Sequence, residues 1–286
     1  MRALAALLLV SCVGGPPLTD DSVVKLVADG FTFTEGPVAD EEGNLYFTDQ
    51  PNDQIWILRR NGNLEVFSEP ARRANGLAFD HKGRLLACAD EKNELLAIDV
   101  KTGTFQVLVD GYRGKRLNGP NDLWVDPEGG IWFTDPFYRR PYWKREAPEQ
   151  DGEFVYYLSP KGELVRIPTR FTRPNGIIGS EDGKTLYVAD IAAWRTYSFP
   201  IQAPGRLGKR ELVIEQGSDG LALDDRGHLY LTGMGVTVVD TESRRVVARA
   251  LQSRRTSNVT FVGRTLIITA HDEVLSIRTN ARDGSR

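Results

Sequence analysis

Apolar residues in this chain fall in short runs of branched and aromatic side chains, separated by acidic and glycine-rich turns. No window carries the 3.6-residue apolar spacing of an amphipathic helix. The clearest unit runs from Pro120 to Asp135 (PNDLWVDPEGGIWFTD): a short strand, a tight turn at Pro127-Glu128-Gly129-Gly130, and a second strand ending on Thr134-Asp135. Variants of this unit recur. Glu35-Gly36-Pro37 precedes Gly43 to Asp49, Asn75-Gly76-Leu77 precedes Gly83 to Asp90, and Asn175-Gly176-Ile177 precedes Gly183 to Asp190. Asp219-Gly220-Leu221 precedes Gly227 to Thr232, and a weaker copy begins at Asn258 and turns at Gly263. The period, roughly 40 to 55 residues, is that of propeller blades and not of helical solenoids.

Third strands are predicted at Gln54 to Leu58, Glu94 to Ile98 and Phe154 to Leu158, and fourth strands at Leu64 to Phe67, Thr104 to Leu108 and Glu211 to Ile214. The sixth copy reaches Glu273 to Ile277 and then lacks a fourth strand, whereas Val23 to Gly30 is a strand without a blade. Pairing these two closes the ring and leaves no open sheet edge. The expected fold is therefore all-β, a six-bladed β-propeller over residues 22–279 closed by the N-terminal strand, with a polar tail at 280–286. One segment breaks the rhythm: Pro136 to Gly152, aromatic, basic and carrying three prolines, is inserted in the third copy. It reads either as a surface loop or as a lid over the mouth of the channel.

Composition narrows the function classes. A net charge of -3 gives no reason to expect a nucleic-acid partner, and no stripe of Lys and Arg for phosphates stands out. Two cysteines and three histidines supply no Cys/His metal framework, so a metal would be held by oxygen. Cys88 sits in an apolar strand and reads as core; His81, His228 and His271 read as loop or solvated residues. Residues 1–21 read as an export signal and spacer, with Leu9-Val10-Ser11-Cys12 resembling a lipoprotein lipobox. That places the protein in the periplasm or cell envelope, touching a membrane only through a lipidated Cys12; the alternative is a cytoplasmic protein with a frayed tail or a misassigned start.

In a propeller the first strand of each blade lines the central channel, and residues at one register share one height on the ring. Here they are Glu35, Asn75, Asn121, Asn175, Asp219 and Asn258, all acids or amides. Asn-Gly and Asp-Gly are strong turn formers, which accounts for several of these positions on backbone grounds alone. Glutamate is a poor turn residue, and two carboxylates converging on an apolar-walled channel repel unless a cation joins them. The set suits a hard cation, Ca²⁺ before others. The repeated Asp49, Asp90, Asp135 and Asp190, at the ends of second strands, read as loop-fixing residues.

Four motifs in order (Phe33 to Pro37; Pro120 to Leu123 with Val125 to Pro136; Arg173 to Ile177; Ser218 to Leu221) resemble the gluconolactonase/regucalcin (senescence-marker protein) family of six-bladed propellers. The resemblance implies a divalent metal, Ca²⁺ first with Zn²⁺, Mg²⁺ or Mn²⁺ as other occupants, held by Glu35, Asn175 and Asp219. Asn121 either joins them or lies beside the ion, touching substrate or a water, and Asp219 doubles as the catalytic base. In sugar-lactone members an arginine stands two residues before the Asn121 position. Here that residue is Gly119, and Arg116 on the same loop is the candidate substitute. The expected activity is metal-dependent hydrolysis of a small-molecule lactone, in which the metal polarises the carbonyl and Asp219 assists attack by water. The alternatives are a non-catalytic sugar- or partner-binding propeller of the cell envelope, and phosphoester or aryl-ester hydrolysis on the same ligands. The oligomeric state is not legible.

Overall fold

The computed structural model describes residues 17–18 and 23–285. The leader reading, including Cys12, lies outside the described residues. Among the described residues no helix is long and apolar enough to cross a membrane.

Six antiparallel sheets follow one another along the chain and form the ring of a β-propeller. In the first blade Thr34–Ala39, Leu45–Asp49, Gln54–Leu58 and Leu64–Ser68 run from the axis outward. The next four blades open with Ala74–Phe79, Leu123–Val125, Pro174–Gly179 and Leu221–Leu223. The sixth holds Asn258–Val262, Thr265–Ala270 and Glu273–Arg278, and its outer strand is Val24–Asp29, paired antiparallel with Glu273–Arg278. The first and last strands of the propeller thus share one sheet, as the missing sixth outer strand predicted.

The strands are continuous apolar runs because both faces of each sheet are covered. Second and third strands such as Leu85–Ala89, Glu94–Ile98 and Phe154–Leu158 are buried throughout. The core lies between neighbouring blades: Tyr46, Ile55 and Ile57 of the first pack against Leu85, Ala87 and Leu96 of the second. Trp124, Trp132 and Tyr157 of the third pack against Val188 and Phe199 of the fourth. Cys88 is fully buried in such a layer, and burial raises its thiol pKa well above the ordinary value. It is a core residue, with no thiolate to act as a nucleophile.

The aspartates that end the second strands act through the backbone. Asp49 accepts from the amides of Thr32 and Phe33 at 3.0 Å each. Asp135 accepts from Asn118 and Gly119 at 2.9 and 2.7 Å, and Asp190 from Thr172 and Arg173 at 2.8 Å each. In each case the amides held are those just upstream of a ring residue, Glu35, Asn121 or Asn175. The aspartate therefore sets the entry of the inner strand into the channel. Asp90 departs from the pattern. In its blade Asp53 takes the amides of Ala71 and Arg73, and Asp90 is left to bind the inserted segment. Asp190→Ala would strand the amide donors of Thr172, Arg173 and Ala193, all bonded to its carboxylate, and is expected to cost about 2 kcal/mol, read as a lowered urea midpoint at unchanged m-value.

The C-terminal tail is part of the ring's underside. Glu181 donates its amide to the Gly284 carbonyl at 2.9 Å, Gly284 donates to Leu223 at 2.9 Å, and the Trp124 indole donates to the Ser285 carbonyl at 3.1 Å.

Candidate active site at the channel mouth

The Asn-Gly dipeptides at 75–76 and 175–176 lie in extended strand and make no turn, whereas Asp219-Gly220 bends just before the inner strand Leu221–Leu223. Glu35, Asn75 and Asn175 lie within inner strands whose pairing slips just after them, between Glu35 and Val38, Ala74 and Leu77, and Pro174 and Ile177. The glycine that follows is required by the neighbouring blade. A Cβ on Gly36, whose φ is +50°, would stand 2.2 Å from the Asn75 carbonyl, and one on Gly220 would stand 2.0 Å from Asn258 Oδ1. Inner strands thus touch at their glycines, and the side chains preceding them are packed into one buried layer.

Glu35, Asn75, Asn121, Asn175 and Asn258 are all buried at this level of the channel. Glu35 Oε2 accepts from the Gly36 amide at 2.8 Å and from Asn258 Nδ2 at 2.9 Å. Asn258 Nδ2 also approaches Asp122 Oδ2 at 3.5 Å. Across the ring Asn175 Nδ2 donates to Asp219 Oδ1 at 2.7 Å and to the Tyr138 hydroxyl at 3.0 Å. Both amide protons of Asn175 are therefore used, and its Oδ1 is buried with no hydrogen-bond partner. The reverse amide orientation would set an oxygen 2.7 Å from a carboxylate oxygen, so this one is dictated by its neighbours.

Three carboxyl groups share this part of the channel, Glu35 and Asp122 buried and Asp219 half-buried. Glu35 is pushed well above the usual carboxyl range, chiefly by burial and then by the charges of Asp219 and Asp122. Burial raises Asp122 to about 7 against hydrogen bonds from Leu123, Asn258 and Ile177. Asp219 is raised to about 6, again by burial, with the Asn175 hydrogen bond and the charges of Arg255 and Arg140 pulling the other way. Asp122 occupies the third blade's counterpart of the glycine position and was missed as a site residue; that replacement was its only signal.

Among the described residues no three His, Cys, Asp or Glu side chains are grouped to hold a metal ion. The ring is instead two separated carboxylates with amides between them. An unpartnered amide oxygen and carboxyls raised by burial, Glu35 further by the charges of Asp219 and Asp122, are the environment a hard cation relieves, so the residues fit a divalent ion of the Ca²⁺ type.

The inserted segment is a fixed cover. Arg140 Nε meets Asp90 Oδ2 at 2.6 Å, the Tyr142 hydroxyl bonds the other oxygen, and the Trp143 indole donates to the Asp90 carbonyl at 2.6 Å. Arg145 donates to the carbonyls of Leu117 and Asn118 and lies 4.2 Å from the Trp143 ring centre. The cover carries Tyr138 to Asn175, a contact that spacing alone could not reveal. Arg116 is not brought to the ring: it sits half-exposed on a two-stranded ribbon, 4.0 Å from Glu149 of the cover. A side chain at Gly119 would press on the Trp143 ring, which stands 3.1 Å from where its Cβ would lie and would have to shift.

Asp219 opens into a cavity of about 480 Å³ at this mouth, walled in part by Phe33, Trp194, Met234, Arg249 and Arg255. His271, expected to be a solvated loop residue, is more than half exposed but also lines this cavity and packs edge-on to Phe33. A larger cavity of about 770 Å³ occupies the opposite end of the channel and includes Asp122 and Ser285 but not Asp219.

Residues 33–272 match the family described as the SMP-30/gluconolactonase/LRE-like region, and the chain belongs to that family, in the class of gluconolactonase-like hydrolases. It is 28% identical to the gluconolactonase of Zymomonas mobilis subsp. mobilis over 90% of this chain and 81% of that one. It is 26% identical to the diisopropyl-fluorophosphatase of Loligo vulgaris over 78% of this chain and 79% of that one. The solved structure of a gluconolactonase from Xanthomonas campestris superposes with a TM-score of 0.86 at 29% identity, covering 93% of this chain and 95% of that one.

Proposed function

We propose that this protein hydrolyses a lactone at the Asp219 mouth, with Glu35, Asn175 and Asp219 holding a divalent cation and Asn121 beside them. The observation that carries the reading is the unpartnered Oδ1 of Asn175, fixed toward the channel by Asp219 and Tyr138. A bound cation would supply polarisation of the lactone carbonyl and a counter-charge for the oxyanion. The chain supplies the rest. Asp219 Oδ1 is taken by Asn175, which leaves Oδ2 to accept a proton from the attacking water. The water oxygen bonds to the carbonyl carbon, the ring C–O bond breaks, and Asp219 returns the proton to the departing ring oxygen, giving a hydroxy acid. A bound cation would lower the Asp219 carboxyl from the value of about 6 that burial gives it, and would lower the pKa of the attacking water as well. The cover excludes water from one side of the ring and holds Asn175 in register through Tyr138.

A panel of lactones, aryl esters and phosphoesters assayed with Ca²⁺ and with chelator tests the proposal: lactone turnover that chelation abolishes supports it. Calcium binding without turnover of any lactone would make the protein a binding propeller.

Tyr138→Phe removes the hydroxyl that takes one amide proton of Asn175, freeing that amide to turn. Calcium affinity measured by calorimetric titration is expected to weaken about 10-fold, in line with losses on removing outer-sphere partners of metal ligands.

A further inference from the structure

The walls of the Asp219 cavity carry positive charge, which a neutral lactone does not call for. Trp194 and Met234 are 61% and 66% exposed there, beside Phe33. Arg249 and Arg255 add positive charge to a wall that also carries Gln216, Gln252, Thr237, Ser257 and His271, and among the described residues Asp219 is the sole acid lining it. Both arginines come from Arg245–Arg255, an outer strand of eleven residues, whereas its counterpart in the first blade, Leu64–Ser68, has five. Pairing in this blade slips between Met234 and Val236, where Gly235 at φ +73° lies against the Ala250 carbonyl, and this kink bends the long strand. Within that stretch of chain Arg244 pairs with Glu211 and Arg254 with Glu273. Among the described residues Arg249 and Arg255 form no ion pair with any carboxylate, although the chain as a whole is acidic at -3. Unpaired guanidinium groups at the rim of a pocket, next to exposed aromatic and thioether surface, are a binding site for an anion attached to an apolar body.

The other side of the mouth agrees. A polyhydroxylated substrate needs polar groups to pair its hydroxyls, since unpaired ones are costly to bury. The position two residues before Asn121 is Gly119, which offers a substrate hydroxyl no side chain, and the Trp143 ring stands 3.1 Å from where its Cβ would lie. Building on the lactonase reading, we infer that the substrate is a lactone with an aromatic or aliphatic body bearing an anionic group, carboxylate or phosphate, which Arg249 and Arg255 engage while the lactone carbonyl faces Asp219.

The test uses the full chain with Ca²⁺ and four probes: a benzo-fused δ-lactone bearing a ring carboxylate, its methyl ester, its phosphate-bearing counterpart, and glucono-δ-lactone. An anionic benzo-fused lactone is expected to exceed the methyl ester about 10-fold in kcat/KM, mainly through KM, and to exceed glucono-δ-lactone further. The better of the two anionic probes identifies the group. The anionic-to-ester ratio is expected to fall to about 2 or below in Arg249→Gln/Arg255→Gln, and likewise on raising salt from about 0.05 to about 0.5 M. Equal rates for ester and both anionic probes, or a preference for glucono-δ-lactone, would overturn the substrate class and leave the hydrolase standing. No turnover of any of the four, with calcium bound, would overturn both.

Discussion

Asp219→Asn is expected to lower kcat for lactone hydrolysis by about 10²- to 10⁴-fold, the range associated with losing a positioned general base. The substituted side chain still presents an oxygen to Asn175 Nδ2, now 2.7 Å from Asp219 Oδ1, so the inner strand keeps its anchor and the fold is retained. What is lost is the oxygen that exchanges a proton with water. Because the change also removes a carboxylate from the proposed cation site, the measurement belongs at saturating Ca²⁺, with the far-ultraviolet spectrum and thermal midpoint followed alongside. Turnover within a few-fold of the wild-type value would remove Asp219 from the chemistry.

Stability should depend on pH in opposite senses with and without calcium. Glu35, Asp122 and Asp219 all have folded pKa values raised by burial, with neighbouring carboxylates adding to the rise at Glu35 and Asp122; Asp122 reaches about 7 and Asp219 about 6. An unfolded carboxyl titrates near 4. Between these values the folded chain binds more protons than the unfolded one, so the contribution is complete below about pH 4 and is lost as pH rises through about 6 to 7. In chelator the thermal midpoint is expected to fall over that window. Calcium binds the deprotonated carboxylates, so its stabilisation grows over the same window and the two curves diverge with rising pH. The difference between the curves isolates the channel from other titrating groups, such as His228, which is raised by its bond to Asp224. Curves that superimpose from pH 5 to pH 8 would show that no cation binds there.

The blade order, the second and third strands and the closing strand were legible in the sequence because each rests on a local regularity: runs such as Leu85–Ala89, turn glycines, and one strand too few at one end and too many at the other. Placing Glu35, Asn175 and Asp219 on one ring followed from register, which symmetry converts into position. The glycines after the ring residues were open to a turn reading because φ and the approach of a neighbouring blade are tertiary quantities. Tyr138, Arg249 and Arg255 were missed for a related reason. Their role depends on where an insertion folds back and how far an outer strand overruns its partner, and no periodicity encodes either. Arg116 was proposed from nearness in sequence, but the ribbon that carries it turns its side chain toward Glu149.

The pairing of Val24–Asp29 with Glu273–Arg278 also bears on how the molecule is made. Synthesis runs from the first of these segments to the second, so five sheets can assemble while the sixth still lacks most of its hydrogen-bonding partners. For that interval the nascent protein presents two raw flanks, one on the blade of Leu45–Asp49 and one on the blade of His228–Leu231, each with apolar side chains awaiting a neighbour. The clasp can be fastened only once the last strand has left the ribosome, so completion of the circle waits on the emergence of Glu273–Arg278.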